Sequence, residues 1–430
     1  MNLRRFLNNR FLKTVFFKNV LTLMLGTGLA QLITLCVSPV LTRLYIPEDF
    51  GGLSLFTALV AIFGVVANGR MELAIPLPSD FTASKNIFRL ALIITLGFSA
   101  ALCLLMLLTY GILINTPYAF SKWFLLIPLS VVFFGIQNAI NYWLTRNTKF
   151  KLQSQSKIIL SLVSALTSVG LGFAGMGTSG LLLGFLFGQF TCLLWITVSG
   201  EFSRALLFKD FSWNEIKTQA KVYRSFYKIN TPHALIDAIQ ENGIVYLIAV
   251  FFTKSVTGLY SFAFKILKAP LSLLGGAFFQ AFYNKIAEAK HQQKEISSYL
   301  RAAYGYFFII GFPVFLVLFL YAPELFGFVF GPSWRESGHM AQILAPWLFL
   351  NFIVSSVSSI TLVCEKQKEA FIITGIDVLL RLMALAMGCF YESYRVAFLW
   401  MSINGSLLML FTLWWYDRIA RLNNKDINAS

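Results

Sequence analysis

The chain has 430 residues, of which 57% are hydrophobic and only 13% charged. Soluble domains carry about twice that share of charge, so a water-soluble fold is excluded and lipid must be part of the solvent. The net charge of +16 raises nucleic acid as a partner, but the placement of the cations argues against it.

Only helices and closed β-barrels satisfy the backbone inside a bilayer. Barrels need alternating segments of ~10 residues, and the apolar runs here are long and unbroken. At ~20 residues per crossing, the pattern predicts twelve spans: 19–41, 50–69, 88–110, 123–143, 157–175, 180–199, 229–252, 257–283, 303–321, 340–363, 370–390 and 396–416. The expectation is an all-α integral membrane protein. The first run follows Lys18, is too long for a signal peptide and lacks a small-residue cleavage site, so it reads as the first span.

An even number of spans puts both termini on one side. With the N-terminus in the cytoplasm, the inner segments hold 27 of the 35 lysines and arginines and the outer connections 5. Arg43, Lys122, Lys254, Arg335 and Arg395 are those five, and Lys265, Lys268 and Arg381 lie within spans. This asymmetry orients the chain with both ends cytoplasmic. It makes the basic charge a topology and lipid-headgroup signal.

The longest connection, 200–228, carries Arg204, Lys209, Lys217, Lys221, Arg224 and Lys228. Trp213, Ile216, Ala220, Tyr223 and Tyr227 recur among them at roughly helical spacing, which predicts an amphipathic helix on the cytoplasmic face. Residues 3–18 look similar. The midpoint linker divides the chain into a six-helix half over 1–199, the linker 200–228, and a second six-helix half over 229–430. A short internal likeness agrees: Phe50-Gly-Gly-Leu-Ser-Leu-Phe opens the second span, and Val256-Thr-Gly-Leu-Tyr-Ser-Phe opens the second span of the other half. Two such halves around a central cavity are a common transporter plan.

Charge inside a span costs roughly 2.5–3.5 kcal/mol on insertion scales, so each case needs a reason. The seventh span has His233, Asp237 and Glu241 at i, i+4 and i+8, one polar stripe suited to binding a proton or cation. Lying at the cytoplasmic interface is the alternative for His233 and Asp237. The eighth span has Lys265 and Lys268 a turn apart, with Lys268 at a depth that would let it pair with Glu241. They could instead form an open cationic site for phosphate or an acidic sugar. The eleventh span has Asp377 and Arg381 at i and i+4, either a self-contained pair or a contribution of Arg381 to the lysine site. Arg70 and Glu72 close the second span, ahead of Leu73-Ala-Ile-Pro-Leu-Pro. A gating role and an interfacial role are both open for them. Gln137, Asn138 and Asn141 make one side of the fourth span polar. The five cysteines show no metal spacing, and there is no phosphate-cradling loop. No cofactor, metal or enzymatic activity is expected.

Three motifs resemble the Wzx-type oligosaccharide flippases of the MOP superfamily, relatives of the MATE exporters and lipid II flippases. The first is Pro39-Val-Leu-Thr-Arg-Leu-Tyr-Ile-Pro-Glu-Asp-Phe-Gly-Gly, and the second Gly69-Arg-Met-Glu-Leu-Ala-Ile-Pro-Leu-Pro with Ser79 and Asp80 after it. The third is Phe330-Gly-Pro-Ser-Trp-Arg-Glu-Ser-Gly with Leu344-Ala-Pro-Trp. The resemblance implies a MATE-like, V-shaped pair of six-helix halves in the bacterial inner membrane. It also implies alternating access around a cationic cavity, with an undecaprenyl-diphosphate-linked glycan as cargo for O-antigen (lipopolysaccharide), capsule or exopolysaccharide synthesis. On this reading Lys265, Lys268, Arg381 and Arg70 would meet substrate. Glu241, Asp237, Asp377 and Glu72 would couple transport to H+ or Na+. Membrane lipid, and a polysaccharide polymerase with its chain-length regulator, are the expected partners. A MATE-like drug exporter and a membrane glycan polymerase are the competing readings. The in-span excess of cations disfavours the first. The second usually has a large outer loop, and the longest here, about 322–339, offers only Arg335 and His339.

Overall fold

The computed structural model describes residues 10–114, 122–200, 210–292 and 295–429, with side chains over most of that range. Every long element is helical. The helices are α1 (Arg10–Leu44), α2 (Pro47–Val66), α3 (Phe81–Ile114), α4 (Ile127–Arg146), α5 (Phe150–Phe173), α6 (Thr178–Val198), α7 (Trp213–Val222), α8 (Thr231–Phe251), α9 (Lys254–His291), α10 (Ile296–Phe330), α11 (Arg335–Val357), α12 (Gln367–Phe390) and α13 (Tyr394–Ala429). Among the described residues, eleven helices are long and apolar enough to cross a membrane. The remaining expected span, 257–283, lies within α9. The protein is a multi-pass membrane protein of about twelve helices.

Several helices outrun their expected spans. The region 322–330, expected in an outer loop, is instead the last turns of α10, despite Pro323. The helix stops where Gly331 adopts φ 103°, a conformation glycine tolerates. Trp334 follows, fully buried, its ring 4.5 Å from that of Phe262. The third family motif is therefore a packed corner. The first is another: the Tyr45 hydroxyl donates to the Ser168 carbonyl at 2.6 Å, and Thr178 donates to Asp49 at 2.7 Å.

Two compact units divide the chain, Met1–Val250 and Phe251–Ser430. Helix α8 groups with the first, although the linker boundary would have placed it in the second half. In the first unit α3 packs on α4, α5 on α6, α2 on α4 and α4 on α6. In the second, α10 packs on α11, α12 on α13, α9 on α11 and α11 on α13. Counted by position within each six, these are the same four pairings. The two segments of internal likeness also open corresponding helices, α2 and α9. Small residues permit the closest approaches. A Cβ on Gly338 would sit 2.5 Å from the Ala322 carbonyl oxygen, and one on Gly184 2.1 Å from the Ser168 hydroxyl.

The linker helix α7 does not float on lipid alone. Ile216 is 1% exposed and joins an apolar cluster with Phe88, Leu92 and Trp143, with Ala220 and Tyr223 packed alongside. Asn86 donates to Glu215 at 2.7 Å, and Arg89 to the Asp210 carbonyl at 3.2 Å. Trp213 remains exposed. Arg204 and Lys209, and the whole N-terminal stretch 3–18, lie outside the residues whose side chains are described.

Candidate functional site

The charged residues singled out by sequence fall into three groups. The first is in the second unit. Lys265 sits about 17 Å along α9 at ~1.5 Å per residue, one turn before Lys268, and both side chains are exposed. The Lys268 ammonium lies 5.4 Å from the centre of the Phe264 ring. Phe264 stacks on Trp347 of α11 at 6.3 Å, and the Arg381 guanidinium lies 4.9 Å over that Trp347 ring. Lys268 and Arg381 thus flank one aromatic pair, whose faces favour cations. Tyr260, one turn before Phe264, stacks on Phe398 at 5.1 Å.

Arg381 also donates to Asp377, one turn earlier on α12. Both are largely covered, at 24% and 12% side-chain exposure. The pair forms as the i, i+4 spacing suggests, but it does so against the aromatic cluster. Arg381 Nε and Asp377 Oδ1 find no hydrogen-bond partner among the described residues. The pair therefore keeps unused donor and acceptor capacity.

The second group is the α8 stripe. His233 Nδ1 lies 3.1 Å from Asp237 Oδ2, and His233, Asp237 and Glu241 are all exposed while Ala234 and Ala238 face protein. One turn of π-helix, Phe226–Asn230, leads into α8. Such turns are frequent at functional sites. Glu241 belongs to the first unit and Lys268 to the second.

The third group is the junction after α2. Gly69 and Arg70 both take positive φ, 59° and 56°. For arginine this costs on the order of 1 kcal/mol. The kink turns Arg70 back onto Glu72, with Nη1 3.4 Å from Oε1. Glu72 is only 2% exposed, and its Oε2 finds no donor among the described residues. Burial pushes the Glu72 carboxyl above its ordinary range, opposed by the backbone and by Arg70. The folded state therefore binds this proton more tightly than the unfolded chain. Its contribution to stability is complete below the ordinary carboxylate range and is lost as pH rises through the raised value. We expect Glu72→Gln to flatten that fall of thermal stability, measured as Tm in detergent over a pH series that starts below the ordinary carboxylate range and rises from it.

The polysaccharide biosynthesis protein family model matches residues 40–339. The chain belongs to this family. The fold agrees over nearly its whole length with solved transporters. The lipid II flippase MurJ, in an inward closed conformation, is similar at 15% identity with a TM-score of 0.72, over 95% of this chain and 91% of that one. An inward-facing multidrug resistance MATE transporter of the MOP superfamily is similar at 14% identity and TM-score 0.66, over 93% and 96%. A MOP superfamily transporter from Pyrococcus furiosus, described by a binding pocket of reverse polarity, is similar at 13% identity and TM-score 0.51, over 96% of each chain. At such identities the likeness is one of fold. Among curated proteins, no sequence matches. The likeness to MOP-superfamily flippases drawn from the three motifs agrees with both findings.

Sequence reasoning overlooked the aromatic platform. Trp347 was visible in Leu344-Ala-Pro-Trp, but nothing in the chain says that Phe264, 83 positions earlier, stacks on it. In the sequence Arg146 is one more basic residue of an inner segment, yet in the fold its guanidinium donates to backbone carbonyls of the segment after Glu72.

Proposed function

We propose that the protein is a flippase that carries a polyprenyl-diphosphate-linked oligosaccharide from the cytoplasmic to the outer leaflet of the bacterial inner membrane, with both termini cytoplasmic. The observation that supports this most is the exposure of Lys265 and Lys268 well inside an apolar helix. An ammonium at that depth is tolerated where it faces water or an anion. The cargo diphosphate supplies about two negative charges, and Lys265, Lys268 and Arg381 supply complementary cations. Trp347 and Phe264 hold Lys268 and Arg381 on one aromatic surface while the lipid tail remains in the bilayer. Arg70 is a second cationic contact. Glu72, Asp237, Glu241 and Asp377 are the carboxylates available to couple transport to H+ or Na+. Family membership supports a glycan cargo over a drug.

The direct test is deletion and complementation. Loss of surface polysaccharide in the deletion strain, restored by the plasmid-borne gene, is the expected result. Raised drug tolerance on overexpression, with surface glycan unaffected by deletion, would replace this reading with drug export. The polymerase and its chain-length regulator are the partners this function calls for.

A further inference from the structure

The segment that follows Glu72 is short of backbone donors. It runs Leu73-Ala-Ile-Pro-Leu-Pro-Ser-Asp, and Pro76 and Pro78 have no N–H to donate. Carbonyls in such a stretch need donors from elsewhere when water is scarce. One side chain supplies most of them. Arg146, the last residue of α4, donates through Nη1 to the Pro76 and Pro78 carbonyls at 3.3 and 2.5 Å. Through Nη2 it donates to those of Ser79 and Asp80, both at 3.3 Å. Ser84 donates to the Ile75 carbonyl. The Asp80 carboxylate accepts from the Thr82 and Ala83 amides at 3.2 and 2.8 Å, capping α3. Of the carbonyls from Ile75 to Asp80, all but that of Leu77 are thus tied by a side chain. Among the described residues, no carboxylate forms an ion pair with Arg146.

Glu72 lies on the short helical turn Met71–Ala74 directly before this segment. That turn packs against α3, α4 and the π-turn Phe226–Asn230. These elements carry Lys85 and Arg89, Tyr142 and Arg146, and Tyr227 and Lys228. Lys85 is 3.9 Å from Asp210, and Arg89 bonds Asn86 and the Asp210 carbonyl. Arg70 and Tyr142, one turn before Arg146, are within electrostatic reach of Glu72.

We propose that Arg146 is the positioning residue of the Arg70–Glu72 pair: its fork ties the proline segment down and thereby keeps the Glu72 carboxyl sealed from water. A guanidinium can do this because its donors are fixed in a plane, which a lysine ammonium cannot reproduce. The functional weight of the inference rests on reading Glu72 as a proton-linked group, but its structural content can be tested alone.

The experiment is an infrared pH titration of purified full-length protein in detergent. The protonated-carboxyl band of Glu72 is assigned by its loss in Glu72→Gln. Arg146→Lys and Arg146→Gln are then compared with the parent, with thermal unfolding as a check of folding. Loosening the segment should admit water and lower the titration midpoint by about one pH unit or more. Ser84→Ala, which removes a single tie, should shift it less in the same direction. An unchanged midpoint in folded Arg146 variants would overturn the proposal, as would the absence of any band lost in Glu72→Gln. If the Arg146 variants cannot be purified, the Ser84→Ala midpoint decides. Normal glycan export by Glu72→Gln would instead remove the coupling role of Glu72 while leaving the seal intact.

Discussion

Replacing Lys265 and Lys268 together by glutamine should reduce export of the lipid-linked glycan at least a hundredfold, at unchanged protein abundance. Each charge-assisted contact to a phosphate is worth about 1.5–3 kcal/mol, and each 1.4 kcal/mol is about tenfold in binding. Both side chains are exposed on α9, so the substitutions empty no packed core position. Folding should therefore be preserved. The single variants should each lose about tenfold or more by the same arithmetic. Arginine at 268 should retain part of the activity, because it keeps both the charge and a cation above Phe264. Flipping of a fluorescent polyprenyl-diphosphate glycan in proteoliposomes, read beside surface polysaccharide in cells, measures the effect. Wild-type flipping by the double variant would remove the cationic site from the mechanism.

The second large effect is one of stability. Asp377→Ala strands the Arg381 guanidinium between α12 and Trp347, where it is three-quarters covered. Breaking one side of a covered pair costs about 3–5 kcal/mol. Removing both charges, as in Asp377→Leu with Arg381→Leu, should recover most of that loss, because a well-packed apolar pair often replaces a buried ion pair without penalty. Tm in detergent gives this comparison. Function separates the two roles of Arg381. The double leucine variant is expected to be folded but to flip poorly if Arg381 meets the diphosphate. Full flipping by that variant would assign Arg381 to structure alone.

The difference between these two predictions follows from what each residue shows along the chain. Lys265 and Lys268 interrupt an apolar run, and their cost in lipid is legible from composition and spacing alone. So is the i, i+4 register of Asp377 and Arg381, because α-helical geometry is local. The approximate number of spans and the corresponding starts of α2 and α9 were legible for the same reason: hydrophobic length and helix-breaking residues act on the chain nearby. The extension of α10 through Pro323 was not. Its last turns are held by packing, with Ala322 and Phe326 buried and Gly338 close against the Ala322 carbonyl. Such support can outweigh the loss of one backbone bond.

The candidate site divides along the same line. Sequence by itself determined that this is a helical membrane protein, that its cations favour one side, and that a few charges sit where lipid would penalise them. Tertiary structure decided what those charges touch. It set Arg381 and Lys268 on opposite members of the Phe264–Trp347 pair. It docked α7 on the first unit through Ile216, although the amphipathic pattern read equally well as a lipid contact. It turned Arg146, one basic residue among many, into the donor for four carbonyls of a proline segment. The physical reason is the range of each force. Burial of apolar length, the helical repeat and the i, i+4 ion pair are properties of neighbouring residues, whereas the Phe264–Trp347 stacking and the Arg146 carbonyl ties join residues tens of positions apart, which only the packing of helices brings within reach.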